Sequence, residues 1–282
     1  MTHLNEKINF NGSILLADEP LFTSQNRAFR YGDGIFESMR RRRGDVPLWN
    51  YHFQRLRQGM KALRLQIAKE FTADFLRKEI EKLCGDTPNA RLRLSVFRAD
   101  GGLYTPASRQ PVFLIESRPT EETDFPANAE GLYLGWYDEC PILSSGRLAN
   151  VKSCNALPYV MAANHCRTYG FDDCFVFNEK GYLAETFCRN VFIWKNGVLL
   201  TPALSAGCVA GVMRRALSDI ARRKNIELRE RENLVPEDVF TADGILLTNA
   251  VQGIDFVKNV EHVQFARPNI LAALREELRE FI

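Results

Sequence analysis

Apolar positions along the chain recur at two spacings, and the change between them marks the elements. Period-two alternation bounded by turn residues predicts strands, and apolar residues at i, i+3, i+4 and i+7 predict helices. "KINFNGSILL" reads as a hairpin turning at Asn11-Gly12, a pair that accepts the positive φ of a tight turn. "HFQRLRQGMKAL" sets Phe53, Leu56, Met60 and Leu63 at helical spacing as its buried stripe. "DFLRKEIEKLCG" repeats the pattern with Leu76, Ile80 and Leu83, and Gly85 is placed to cap it. "ARLRLSVFR" and "PVFLIESR" read as strands.

The pattern lapses between residues 118 and 131. "RPTEETDFPANAEG" is acidic, holds two prolines and has no periodicity, so it reads as a linker. Strands resume with "LYLGWYDE". A helix is expected after Lys152, ending near Gly170, with Leu157, Val160 and Met161 on one packed face. Two hairpins follow, "DCFVFNEKGYLAE" turning at Glu179 to Gly181 and "NVFIWKNGVLLTP" turning at Asn196-Gly197. "GVMRRALSDIARRKN" predicts a helix starting at or just after Gly211. "GILLTNAV" predicts an apolar strand entering a polar turn, and "PNILAALREELREFI" a helix with Pro268 near its start. The expectation is an α/β protein with mostly antiparallel sheet. Its expected parts are an N-terminal α/β domain (1–118), a linker (119–130) and a C-terminal domain (131–282).

Composition changes this picture little. The chain has 282 residues, 45% hydrophobic and 26% charged, enough for a sizeable core. A formal net charge of +2 argues for neither a nucleic-acid nor a membrane partner. The run Arg40-Arg41-Arg42-Arg43 ends an apolar stretch and enters a turn, where alternation would send two arginines inward and two outward. Seven cysteines without paired spacing, no apolar leader and no stretch long enough to span a membrane point to the cytoplasm. His3, His52, His165 and His262 fall at no metal-ligand spacing, so no metal site is expected.

Chemistry-bearing residues collect where strands end or helices begin. Lys152, in "ANVKSCNAL", is either a solvated lysine at an element's end or an amine kept from water to act as a nucleophile. Glu185, in "LAETFCRNVF", is either a hairpin residue or a carboxylate that keeps a ring nitrogen protonated. Arg55, three residues after His52, lies off its helix's apolar stripe. The helix start at Gly211-Val212-Met213 and the turn Thr248-Asn249-Ala250 offer backbone N–H groups to an anion. Together these are the parts pyridoxal phosphate requires: a lysine nucleophile, a carboxylate for the pyridinium nitrogen and a phosphate cup.

In order and type, the blocks "FRYGDGIFESMR", "HFQRL", "VKSCNAL", "GFDDCFVFNEKGYLAETFCRNVFIWKNGVLLTP", "GVMRR" and "LLTNAVQGI" resemble the class IV aminotransferases. These are the fold-type IV pyridoxal-phosphate enzymes, which include branched-chain and D-amino-acid aminotransferases and aminodeoxychorismate lyases. The resemblance implies a smaller N-terminal α/β domain, a larger barrel-like C-terminal domain, the cofactor in the cleft between them, and a homodimer. It implies Lys152 as the residue that bonds the cofactor and carries the proton, and Glu185 as the pyridine-nitrogen partner. Arg55 would hold the phosphate with backbone at Val212 and Met213 and with Asn249.

The reaction within the family is less sharply marked. Where branched-chain members carry a tyrosine after the lysine this chain has Leu157, and Gly32-Asp33-Gly34 matches D-amino-acid and lyase members. The Arg-x-His trap of D-amino-acid enzymes is absent from "FRADGGLYTP", and Met213 replaces the usual threonine of the phosphate motif. Gly101-Gly102-Leu103-Tyr104 keeps a lyase frame without its arginine. The resemblance sets Tyr31, Phe36 and Ala250 at the substrate, with Arg98, Arg40 or Arg30 as partner for its carboxylate. Transamination between a small, branched-chain-type amino acid and a 2-oxo acid is the main expectation. Pyruvate elimination giving 4-aminobenzoate is the alternative. A non-catalytic protein that only binds the cofactor would be expected to lose the lysine or the carboxylate, and both are present.

Overall fold

The structure, a computed structural model, describes residues 6–126 and 128–282. The chain divides into two compact units, Met1–Asp124 with Val151–Asn155, and Phe125–Asn150 with Ala156–Ile282.

The first unit is built on five strands, β1 (Lys7–Phe10), β2 (Ser13–Leu16), β3 (Gly34–Arg41), β4 (Ala90–Arg98) and β5 (Pro111–Pro119), in the order β2-β1-β5-β4-β3. All neighbours are antiparallel. The β1–β2 turn uses Asn11 at φ 51° and Gly12 at φ 93°, as the Asn-Gly pair predicts. Three helices accompany the sheet: α1 (Arg27–Tyr31), α2 (Trp49–Ala62) and α3 (Ala73–Cys84). Thr72 caps α3 by accepting from the Phe75 amide, and Gly85 ends it. Alternation along β4 sends Leu92, Leu94 and Val96 into a core with Leu56 and Met60 of α2 and Leu76 and Ile80 of α3. Arg91 and Arg93 are left exposed.

The arginine run does not divide as a solvated strand end would. Arg40 and Arg41 are both buried, and neighbouring strand residues point to opposite faces. Arg41 meets Glu81 of α3 at 2.7 and 2.8 Å. Arg40 meets Glu122 at 2.7 Å, on the segment returning after β5. Each charge is buried because a carboxylate covers its face. Arg42, half-buried, lies 3.6 Å from Asp124, and only Arg43 is exposed.

Val151–Asn155 packs with the first unit although its neighbours in sequence belong to the second. It runs beside β3 through an antiparallel bridge between Ile35 and Ser153. The Phe36 amide donates to the Lys152 carbonyl at 3.0 Å, and the Cys154 amide to the Gly34 carbonyl at 2.9 Å. Lys152 therefore sits in extended backbone, not in a helix.

The second unit holds β6 (Leu132–Ile142), β7 (Asp173–Asn178), β8 (Leu183–Thr186), β9 (Asn190–Lys195), β10 (Val198–Pro202), β11 (Glu227–Arg231), β12 (Gly244–Asn249), β13 (Gly253–Val260) and β14 (Val263–Gln264). The path is β11-β10-β9-β12-β13-β6-β7-β8, with β14 beside β13. β8, at one end of the path, packs against β9 and β10 near the other, so the sheet curls towards a barrel. Its inner side is filled by Leu134, Phe175, Leu183, Val191, Ile193, Ile245, Leu247 and Val257. Helices α4 (Leu157–Tyr169), α5 (Val212–Arg223), α6 (Pro236–Phe240) and α7 (Leu271–Phe281) complete the unit. α4 covers β6 and β7. Sheet covered on both faces explains the continuous apolar runs "CFVF" and "GILL".

One helix turns a different face to the core from the one expected. α4 buries Ala162 and Cys166 against Tyr137, Cys174 and Val176, while Leu157, Val160 and Met161 are 68%, 50% and 44% exposed. Small side chains let α4 lie close to the sheet, so its larger residues point outward.

The approach of Val151–Asn155 to β3 depends on Gly34 having no side chain. A Cβ there would lie 2.9 Å from Phe97 Cβ and 3.2 Å from Cys154 Sγ. Gly34→Val is expected to destabilise the protein by about 1–3 kcal/mol, read from urea unfolding, with the overpacking concentrated at β3 and residues 151–155.

Candidate active site

In the first unit, Lys152 and Phe36 lie on the sheet face opposite the helices. Phe36 is on β3, and the Lys152 Nζ sits 4.5 Å from its ring centroid. The Arg93 guanidinium lies 3.8 Å from the same centroid. Register explains the meeting: Phe36 pairs with Ser95 and Ser38 with Arg93, so Phe36 and Arg93 share a face. The Lys152 amine and the Arg93 guanidinium thus gather at one aromatic ring, whose π-face attracts the guanidinium.

One residue along, Glu37 points to the helix side and is 2% exposed. Its carboxylate accepts from Arg55 Nε at 2.8 Å, from Arg55 Nη2 at 2.5 Å and from His52 Nδ1 at 2.6 Å. Arg55 and His52 reach it together because positions three apart share a face of α2. Burial opposes ionisation of Glu37, but Arg55 and the His52 hydrogen bond outweigh it and hold the pKa at about 2. Burial keeps the His52 imidazole below its ordinary value, so it stays neutral and donates through Nδ1. Arg55 is thus oriented by a buried carboxylate.

The arginines expected to meet a substrate carboxylate are otherwise engaged or exposed. Arg98 donates to both Asp33 oxygens at 2.8 and 3.3 Å and to the Leu63 carbonyl at 2.6 Å. Arg40 is held by Glu122. Arg30 is exposed in the last turn of α1. Asp33 also receives Arg27 Nε at 2.8 Å, and Arg27 donates to the carbonyls of Gly101 and Leu103. Burial works against the Asp33 charge, yet the two guanidiniums outweigh it and hold the carboxyl below the usual range. Tyr31 ends α1 under the Arg27 guanidinium, with Tyr104 beside it at 5.5 Å between ring centroids.

In the second unit, Glu185 lies on β8 and is 4% exposed. Its carboxylate accepts from Tyr159 Oη at 2.7 Å, the Val209 amide at 3.0 Å and Asn190 Nδ2 at 3.0 Å. The Glu-x4-Asn spacing therefore spans the β8–β9 turn so that Asn190 can hold Glu185. Burial and the neighbouring Glu185 charge keep the Tyr159 phenol well above its ordinary pKa, so it remains a donor. Asn190 also donates to the Val209 carbonyl at 3.0 Å and crowds Gly211, where any Cβ would lie 1.8 Å from its Oδ1. Gly211 is the N-cap of α5, whose first residues are Val212 and Met213.

Asn249 ends β12, and Ala250 opens the turn that follows. The Asn249 Oδ1 accepts from the amides of Val251 and Gln252 at 3.0 and 2.7 Å, so the side chain shapes its own turn. What Asn249 and Ala250 offer an anion is backbone.

Sequence reading missed Glu37, Arg93, Arg27 and Tyr159. The signal for Arg93 was in the alternation of "ARLRLSVFR", which puts it on the face opposite Leu92 and Leu94. Taken unit by unit, the first holds a lysine amine and an oriented arginine, and the second a buried carboxylate met by three donors and a helix N-terminus without a side chain at its cap, the residue types that a phosphorylated pyridine aldehyde requires. Among the described residues no cluster of His, Cys, Asp and Glu could hold a metal, and no helix is long and apolar enough to cross a membrane. His3 lies outside the described residues.

The family model for "Amino-transferase class IV" matches residues 34–260. An aminodeoxychorismate lyase of Bacillus subtilis is 27% identical over 262 residues, covering 92% of this chain and 88% of that protein. A branched-chain-amino-acid aminotransferase of Salmonella typhimurium is 25% identical over 283 residues, covering 90% and 85%. A hypothetical aminotransferase of Mycobacterium tuberculosis, solved in its PLP-bound form, superposes with a TM-score of 0.82 at 23% identity, covering 98% of both chains.

The buried cluster around Glu37 makes the protein acid-labile in a defined way. Its folded pKa of about 2 lies below the ordinary glutamate value of 4.5, so its stabilisation is complete above about pH 4.5 and lost as pH falls towards 2. His52, lowered by burial, adds to the same trend below its ordinary value of 6.5. Glu37→Gln is expected to cost about 3–5 kcal/mol at pH 7. Urea unfolding from pH 7 to 3 should show that gap narrowing below pH 4.5, and a gap that does not change would contradict the assignment.

Proposed function

Because the chain belongs to the class IV aminotransferase family, we propose that it is a pyridoxal-phosphate-dependent aminotransferase acting between a small aliphatic amino acid and a 2-oxo acid. The observation that carries this reading is the lysine amine beside Phe36 with the Arg93 guanidinium at the same ring. A nucleophilic amine and a cation for the substrate carboxylate thereby share one surface.

Bound pyridoxal phosphate supplies an electron sink that makes the substrate's Cα proton removable. Lys152 would hold the cofactor through its Nζ and would be the base that carries that proton. Glu185 keeps the ring nitrogen protonated, and Tyr159 and Asn190 keep Glu185 in place for this. Arg55, oriented by Glu37, pairs with the phosphate. The amides of Val212 and Met213 at the start of α5 donate to it, helped by backbone at Asn249. Phe36 and Tyr31 border the substrate, and Ala250 meets it through backbone. Arg93 takes the carboxylate role for which Arg98, Arg40 and Arg30 were candidates, since its guanidinium is exposed near the lysine amine. It also lies 3.7 Å from Glu116, a contact open to solvent and weakly held.

The lyase reading has support of its own. Arg27 pins the carbonyls of Gly101 and Leu103, fixing the segment whose sequence most resembles the lyases. That segment presents Leu103 and Tyr104, 71% and 90% exposed. One assay separates the readings. Cofactor-loaded protein mixed with L-leucine or L-glutamate should release the 2-oxo acid, with Lys152→Ala at least about 10²-fold slower. Amino acids giving no 2-oxo acid, while aminodeoxychorismate gives pyruvate, would make the protein the lyase. Arg93→Met is expected to raise KM for a carboxylate substrate by about tenfold to a hundredfold with a smaller effect on kcat.

The protein acts as a homodimer in this reading, supported by the apolar residues that α4 turns outward. Leu157, Val160 and Met161 recur at helical spacing, a pattern expected of a covered face. Val160→Asp should shift sedimentation from dimer towards monomer. A wild-type protein that sediments as a monomer would rule the dimer out.

A further inference from the structure

Arg189 is a buried cation that the proposed chemistry does not use. It ends the turn between β8 and β9 and is 7% exposed. The turn is stiff. The Thr186 amide donates to the Arg189 carbonyl at 2.8 Å, and the Arg189 amide to Thr186 Oγ1 at 3.0 Å. Thr186 Oγ1 donates in turn to the buried Asp173 carboxylate at 2.9 Å. Asp173 accepts from Arg189 Nη1 at 2.6 Å, and Asp255 lies 3.8 Å from Arg189 Nε. Asp255 is itself 3.6 Å from Arg275, so two buried carboxylates face two guanidiniums and the net charge is balanced.

The other edge of the guanidinium points at a different loop. Arg189 Nη2 donates to Gln252 Oε1, which also accepts from Asn249 Nδ2 at 3.1 Å. Asn249 Nδ2 is 3.4 Å from the Cys188 carbonyl, a second tie between the same two loops. Gln252 closes the turn that Asn249 opens, its amide donating to Asn249 Oδ1 at 2.7 Å. The turn's conformation therefore rests on Asn249 and Gln252, and Gln252 is held from outside by Arg189. Without that contact its Oε1 keeps only Asn249, a member of the same turn.

We propose that Arg189 is a positioning residue: acting through Gln252, it braces the Asn249–Gln252 turn so that the turn's backbone is preset for the cofactor phosphate. This rests on the reading of Asn249 as a phosphate contact. The same brace links the turn to Thr186, which directly follows Glu185. The groups for the two ends of the cofactor are then tied by one buried guanidinium.

Gln252 is the better place for the test, because it is half-buried in a turn, whereas removing Arg189 strands Asp173 and threatens folding. Full-length apo protein is titrated with pyridoxal phosphate and with pyridoxal, which lacks the phosphate, and the ratio of the two Kd values is read from absorbance. Gln252→Met and Gln252→Ala are expected to shrink that ratio at least about tenfold, the scale of one lost charge-assisted hydrogen bond. Gln252→Glu, whose carboxylate can accept from both Arg189 and Asn249, should restore it. Equal weakening for both ligands would reduce Gln252 to a general structural role and overturn the proposal. Unchanged ratios in both variants would overturn it too. A wild-type protein that binds pyridoxal phosphate no better than pyridoxal would instead remove the phosphate reading on which the proposal stands.

Discussion

A carboxylate taken out of water must be given back the donors it lost, and this requirement organises both units. Glu37, Glu185, Asp33 and Asp173 are buried or partly buried at the starts, ends or middles of strands, and each is met by two or more donors. A buried charge left unpaired costs several kcal/mol, so these contacts select one arrangement of the loops around them. Glu37 orients Arg55. Glu185 recruits Tyr159, Asn190 and the Val209 amide. Asp33 gathers Arg27 and Arg98, and through Arg27 the 101–103 segment. Asp173 anchors the turn that carries Arg189.

The same requirement explains spacings that look arbitrary in the chain. His-x-x-Arg on α2 exists because one buried carboxylate takes both side chains. Glu-x4-Asn exists because Asn190 must reach back across a tight turn to Glu185, and Gly211 is a glycine because Asn190 occupies the space its side chain would need. A lysine in extended backbone pinned to β3 by main-chain hydrogen bonds loses little backbone freedom on meeting a ligand, which suits the role proposed for Lys152.

Much of this was legible in the chain because local periodicity reports burial. The hairpin at Asn11-Gly12, the α2 and α3 stripes and the start of α5 follow from patterning and turn chemistry alone. Long-range pairings do not. Nothing in "VKSCNAL" says that these residues pack beside β3 with the first unit. "FESMRRRR" cannot show that Glu37 faces α2 or that Arg40 and Arg41 are each covered by a carboxylate. The α4 face was misread because apolar spacing marks a face that is covered by something, not which neighbour covers it. Arg93 was recoverable from alternation, but only once β3 and β4 are known to pair with Phe36 opposite Ser95.

The central claim is that Lys152 is the amine that bonds the cofactor. It is tested most directly by incubating the protein with pyridoxal phosphate, reducing with borohydride, digesting and locating the added mass by mass spectrometry. The account predicts one modified residue, Lys152. The mass found on another lysine, or on none, would contradict it.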